Sequence, residues 1–178
     1  IEYTANLKTN GDSDVTMNRA WVEGNIGAVH TKFGKLPTFS AQGVIMDDTV
    51  SGAEFSFGNV VKTTLTAGRY DEDSVGGSVG DYAAVQFDYA ASKNLSLTTG
   101  YYQYKDTTVP AAAEDTDKIW ALGATYKFND TVALDGYYAK SNLDTAQTAN
   151  EKSYNAELRY KGAEQTAPGS FGIWAAYR

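Results

Sequence analysis

Side chains capable of acid–base or metal chemistry are few in this chain and poorly spaced for it. The acidic pairs Asp47-Asp48 and Glu72-Asp73 sit on adjacent residues. Neighbours in an extended chain or loop do not share a face, so neither pair makes a carboxylate dyad. The glycine-rich GGSVG at 76–80 lacks the lysine and following helix of a phosphate-binding loop. The run DEDS at 71–74 offers a divalent cation only weak ligation and reads as a solvated loop. His30 is the sole histidine and there is no cysteine, which removes thiolate chemistry, disulfides and Cys/His zinc sites together. A Ser/His or Asp/His set is out of reach, because His30 lies in a strand-like run with no evident partner. No catalytic residue, metal or cofactor is expected, and the chain does not read as an enzyme.

The ionisable residues are instead interleaved with apolar ones. In DKIWALGATYKFNDTVALDGYYAKS (117–141), Trp120, Leu122, Ala124, Tyr126 and Phe128 occupy every second position. After Asn129-Asp130-Thr131 the alternation resumes with Val132, Leu134, Gly136 and Tyr138. Lys127 and Asp135 fall between them. Period two around a tight polar turn is a β-hairpin with one apolar and one wet face. The same split recurs along the chain. Ala83, Val85, Phe87 and Tyr89 oppose Gln86 and Asp88, and Tyr154, Ala156, Leu158 and Tyr160 oppose Asn155, Glu157, Arg159 and Lys161.

About eleven such runs can be marked, near 1–8, 15–25, 28–36, 49–58, 60–70, 81–91, 95–105, 117–128, 132–141, 152–161 and 170–178, most of them close to the 9–11 residues of a tilted membrane-crossing strand. Short connectors (24–27, 58–59, 92–94, 129–130) alternate with longer polar ones (9–14, 36–48, 71–80, 106–116, 142–151), and 162–170 is a long connector at a short-turn end. This predicts an all-β, antiparallel up-and-down barrel with tight turns at one end and loops at the other. Charges inside a small, dry barrel would each cost several kcal/mol. A wide water-filled lumen keeps them hydrated, and such a lumen needs more strands than these. The chain begins and ends inside strand-like runs, so it is expected to be an internal segment of a larger single barrel domain. The 178 residues carry a formal net charge of −7, which disfavours a nucleic-acid partner. No run of about 18 apolar residues could form a membrane-spanning helix. The rival expectation is a soluble, secreted all-β protein whose tyrosines stack on carbohydrate.

The connector LPTFSAQGVIMDD (36–48) is the longest and is apolar where an exposed loop should not be. It is expected to fold into the lumen as a constriction, with Leu36, Phe39, Ile45 and Met46 against the wall and Asp47 and Asp48 facing water. Arg19, Lys35, Lys62, Arg159 and Lys161 are the candidate basic residues of the wall, with Lys127 a further cation. Glu54, Asp88, Asp135 and Glu157 are the candidate acidic ones. Charges on both faces of 1–36 (Arg19, Glu23, Lys32, Lys35) suggest that this part of the wall is covered by other subunits.

RAWVEG (19–24), TKFGKLP (31–37), MDDTVSGAEFSFGN (46–59), TLTAGR (64–69) and the ending PGSFGIWAAYR (168–178) together resemble the porin domain of the S-layer-homology-tethered outer-membrane porins of diderm Firmicutes, the OmpM group. The resemblance runs over essentially the whole chain. It implies a trimeric transmembrane barrel of about sixteen strands in the outer membrane. It also implies passive diffusion of small hydrophilic solutes and ions, and an N-terminal domain, outside this chain, that grips peptidoglycan. It places 36–48 as the third external loop, where such porins narrow their channel.

Overall fold

A computed structural model of the chain describes residues 2–9, 15–75, 78–107, 116–142, 151–162 and 169–177, with backbone alone at 2–9, 15–18, 42, 71–75, 78 and 106. Among the described residues there are eleven strands: β1 (Glu2–Thr9), β2 (Val15–Ile26), β3 (Val29–Ser40), β4 (Met46–Phe57), β5 (Val61–Val75), β6 (Ser78–Ala90), β7 (Leu95–Asp106), β8 (Thr116–Lys127), β9 (Val132–Ser141), β10 (Lys152–Lys161) and β11 (Gly172–Tyr177). They form one sheet in which each strand pairs with the next in sequence, every pairing antiparallel. A 3-10 turn at Ala41–Gly43 joins β3 to β4.

Local sequence accounts for the tight turns. Gly27 takes φ 61° between β2 and β3, a backbone state that costs glycine little. In the β8–β9 turn, Asn129 Oδ1 accepts from the Thr131 and Val132 amides at 2.8 and 2.9 Å, the local side-chain turn that asparagine favours. Ser92 Oγ does the same for the Asn94 and Leu95 amides at 3.2 and 3.0 Å.

Register turns the period-two pattern into two continuous surfaces. One cross-strand row reads Phe57, Thr63, Phe87, Thr99, Leu122, Tyr138, Tyr154, and the next Val61, Tyr89, Leu97, Ala124, Gly136, Ala156, Tyr177. On this outer face, positions 53–57, 61–67, 83–89, 95–101, 120–126, 132–138, 154–160 and 173–177 carry no Asp, Glu, Lys or Arg. Trp120, Leu122, Leu158 and Ile173 are 64, 58, 49 and 63 % exposed. Aromatics border the band at both ends. Tyr101 packs on Trp120 and Tyr138 on Tyr154 (ring centroids 4.6 and 5.2 Å) toward the long connectors. Tyr126 packs edge-on to Phe128 (5.1 Å) toward the short turns. Beyond the band at the long-connector end lie Arg69 and Asp81, exposed and 3.6 Å apart.

The opposite, inner face is built from tyrosines laid over glycines. A Cβ at Gly100 would run into the Tyr102 ring, one at Gly80 into Tyr70, and one at Gly123 into Tyr137. Tyr70, Tyr82, Tyr102 and Tyr137 are buried there with Ala41, Met46, Val50, Ala121 and Ala139, and Tyr104 packs against them. The sheet therefore curves, since the 3-10 turn between β3 and β4 touches β7 and β8.

The strand limits differ from expectation at two hairpins. The connector read as 36–48 is largely strand: β3 runs to Ser40 and β4 starts at Met46, with Leu36 opposite Val50 and Ser40 opposite Met46. Likewise β5 continues through 71–75 and β6 begins at Ser78, so most of the expected loop 71–80 is strand, its register shifted between Tyr70 and Val75. Polar composition masked the second extension, because backbone pairing tolerates polar side chains wherever they meet water; in the first, Pro37 and Gly43 read as loop punctuation. The side chains of DEDS, residues 76–77 and most of the connectors 9–14, 106–116, 142–151 and 162–170 lie outside the described residues.

Adding a methyl group tests the tyrosine-over-glycine packing. Gly123→Ala should destabilise by about 1–3 kcal/mol, because the Tyr137 ring must shift. Gly136→Ala sits on the outer face, where a Cβ meets nothing within 4 Å, and should change stability by no more than about 0.5 kcal/mol. Denaturant unfolding compares the two.

Candidate functional site

The β3–β4 hairpin leaves the wall. β2 pairs with β3 only as far as Ala20↔Lys35, and β4 with β5 only as far as Ser51↔Arg69. Beyond those points, among the described residues, the hairpin's strands pair only with each other. The departure coincides with a cross-strand row of glycines, Gly34, Gly52 and Gly68. At Gly34 φ is 133°, and a Cβ at Gly52 or Gly68 would collide with the neighbouring backbone. Side chains at this row would prevent the bend.

Alternation then gives the hairpin two different sides. Leu36, Thr38, Ser40, Met46 and Val50 are buried on one. Phe39 and its cross-strand partner Asp47 are exposed on the other. The tip is fixed to the inner face by hydrogen bonds. Ser40 Oγ and the Tyr82 hydroxyl are 2.8 Å apart, the Ala41 amide donates to Gln86 Oε1 at 2.9 Å, and the Tyr104 hydroxyl donates to the Ile45 carbonyl at 2.8 Å.

Two spaces border this hairpin. A cavity of about 250 Å³ separates Phe39 from Thr125, Asp135, Asn155, Glu157 and Arg159 on β8–β10. Asp135, buried, accepts from Thr125 Oγ1 at 2.6 Å and from Arg159 Nε and Nη2, both at 2.6 Å. Glu157 lies 3.7 Å from the same guanidinium. Two carboxylates against one guanidinium leave this wall with a net charge of −1. The second space, about 190 Å³, lies between the hairpin and the β3–β6 wall and is lined by Lys32, Glu54, Lys62, Gln86 and Asp88, with Phe39 at its edge. Lys32 Nζ pairs with Glu54 Oε1 at 3.0 Å.

The expected site residues divide as follows. Phe39 and Asp47 face open space, and Leu36 and Met46 are buried in the packing. Ile45 is half-buried beside them. Asp48 departs from expectation: it shares a side with Thr38 rather than with Asp47, and its Oδ1 accepts from the Thr49 amide at 2.7 Å. Adjacent residues in a paired strand point opposite ways. Glu54, Lys62, Asp88, Lys127, Asp135, Glu157 and Arg159 occupy inner-face register positions. Arg19 lies on the same side as Trp21 and Glu23, which are themselves hydrogen-bonded at 3.0 Å.

Two of the expected wall bases point elsewhere. Lys35 stands opposite Ala20 and Ser51, on the outer face, three residues and hence one face away from Lys32. Lys161 has φ 58° and places Nζ 5.3 and 5.2 Å from the rings of Tyr160 and Phe171, a cation–π arrangement that carries it to the outer aromatics. Arg19, Glu23 and Lys32 all share the inner face, so among the described residues Lys35 alone charges the outer face of β2–β3. Charges therefore stand on both faces of that wall, three on the inner side and Lys35 on the outer.

The inner tyrosines and Gln86 were not singled out by sequence. Their signal was present: Tyr82 and Tyr102 each follow a glycine by two residues, in the phase that otherwise carries polar side chains.

Removing the Asp135 charge should expose the order of importance in the wall. Asp135→Asn should cost about 1–3 kcal/mol, because a buried acceptor of several short hydrogen bonds is weakened. Glu157→Gln should cost under about 1 kcal/mol, since its longer ion pair involves a half-exposed guanidinium. Thermal unfolding of the two variants checks the ranking. No protein-family model matches this chain and no curated protein matches it.

Proposed function

We propose that this chain forms the wall and constriction of an outer-membrane diffusion channel, a transmembrane β-barrel completed by further strands, through which small hydrophilic solutes and ions pass without reaction or cofactor. The observation that carries this reading is the β3–β4 hairpin, bent across the inner face with Phe39 across a cavity from the Asp135–Arg159–Glu157 wall and its cross-strand partner Asp47 exposed. A polar, charge-lined space narrowed by an inward segment is how pore selectivity is built from side chains. The uncharged outer band bordered by aromatics supports a lipid-facing exterior, and water would be a poor neighbour for so large an apolar surface. The resemblance to the S-layer-homology-tethered porins adds a homotrimer, residence in the outer membrane, and attachment to peptidoglycan through a separate N-terminal domain.

Planar-bilayer recording of the full-length protein tests the reading. Deleting Phe39–Ile45 should raise single-channel conductance, because the narrowest section dominates resistance. Asp47→Asn should lower cation preference with little change in conductance, since a charge in a narrow passage acts within about one Debye length, roughly 8 Å at physiological salt. Asp48→Asn, on the packed side of the hairpin, should matter less. A deletion that leaves conductance unaltered would remove the hairpin from the path.

Lipid contact is tested separately. Leu158→Arg should destabilise by about 2–4 kcal/mol if that position lies near mid-bilayer, read as reduced folding into vesicles. A chain that stays in buffer without detergent would instead fit the secreted carbohydrate binder.

A further inference from the structure

The hairpin tip needs more than apolar contact to stay where it is. Ala41 is fully buried and adopts φ 56°, a left-handed state that an alanine holds only when its surroundings impose it. The amide of that residue is taken by Gln86 Oε1, which also accepts from the Tyr102 hydroxyl at 3.0 Å. A glutamine amide is free to turn end over end unless its NH2 group is committed. Here Nε2 donates to both oxygens of Asp88, at 3.2 and 3.0 Å, and Asp88 Oδ1 accepts in addition from Thr98 Oγ1 at 2.7 Å. A carboxylate accepts but cannot donate, so it permits only one orientation of the Gln86 amide, with the oxygen toward the hairpin.

We infer that Asp88 and Gln86 are positioning residues for the constriction: Asp88 orients the Gln86 amide, and the oriented amide holds the hairpin tip at Ala41 in its strained conformation. This rests on the reading of the hairpin as the narrow part of a channel. It adds that Asp88, one of the inner-face acids, acts on the passage through the hairpin's position as well as through its charge.

Hydrogen exchange of the full-length protein in detergent, followed on peptides covering 39–46, tests this without requiring conduction. Gln86→Leu, which removes the acceptor, and Asp88→Asn, which lets the amide turn, should each speed exchange at the tip by about threefold to tenfold. Exchange in β9 and β10 should be unchanged. Because Asp88 acts through Gln86, D88N should add nothing further in the Q86L background. Undiminished D88N acceleration in that background, or unchanged exchange at the tip in D88N alone, would overturn the inference. D88N preserves side-chain volume and carries the test if Q86L does not fold. In bilayers the same variants should add open-channel current noise. Coupled exchange in a protein that conducts nothing would support the latch and defeat the channel reading instead.

Discussion

A strand that leaves a sheet gives up the hydrogen bonds on its flanks, and those donors and acceptors must be satisfied elsewhere. Past Lys35 and Ser51 the β3–β4 hairpin has no lateral neighbour among the described residues, and the inner face is arranged around that need. Gln86 and Tyr104 bond main-chain groups of the tip, Tyr82 pairs with the Ser40 hydroxyl, and the tyrosine layer covers the apolar side. The glycines under those rings are the same constraint seen from below, since the rings lie close to the sheet only where there is no Cβ. Large aromatics with a polar tip suit this position, since one side chain both fills space and supplies a hydrogen bond.

The outer face asks for nothing of this kind. Its side chains alternate without interruption, the charges are held to the edges, and adjacent rings pack in pairs. The inner face, by contrast, joins charges into local sets. The Asp135 carboxylate, buried and accepting from three donors, is fixed far more firmly than Glu157 or the Lys32–Glu54 pair. A charge held in that way keeps its direction, and a mobile one averages over its rotamers.

The fold was legible in the sequence because it depends on period two and on turn residues, both local. Asn129 and Ser92 sit where their side chains build the turns, and Leu122 or Leu158 falls in phase with its neighbours on the outer face. The ends of the hairpins were not legible. Ser40 and Met46 extend pairing into a segment broken by Pro37 and Gly43 and without sustained alternation, and composition does not encode how long two strands stay together. Lys35 and Lys161 failed for different reasons. Lys35 is three residues from Lys32, a parity that register exposes at once, whereas the turn of Lys161 toward Tyr160 and Phe171 follows from a single positive φ. The partners of the tip, 42 to 59 residues distant in sequence, could not be read from spacing at all.

The nearest-neighbour strand order has a kinetic side. Every pairing joins consecutive strands, so the sheet can zip one hairpin at a time with short loop closures. The contacts from Ser40, Ala41 and Ile45 to β6 and β7 break that locality, because they close only after two or three further strands have been added. The hairpin is thus made early as a pair of strands and seated late as a contact. Its inward position is set only once the curved wall that receives it exists.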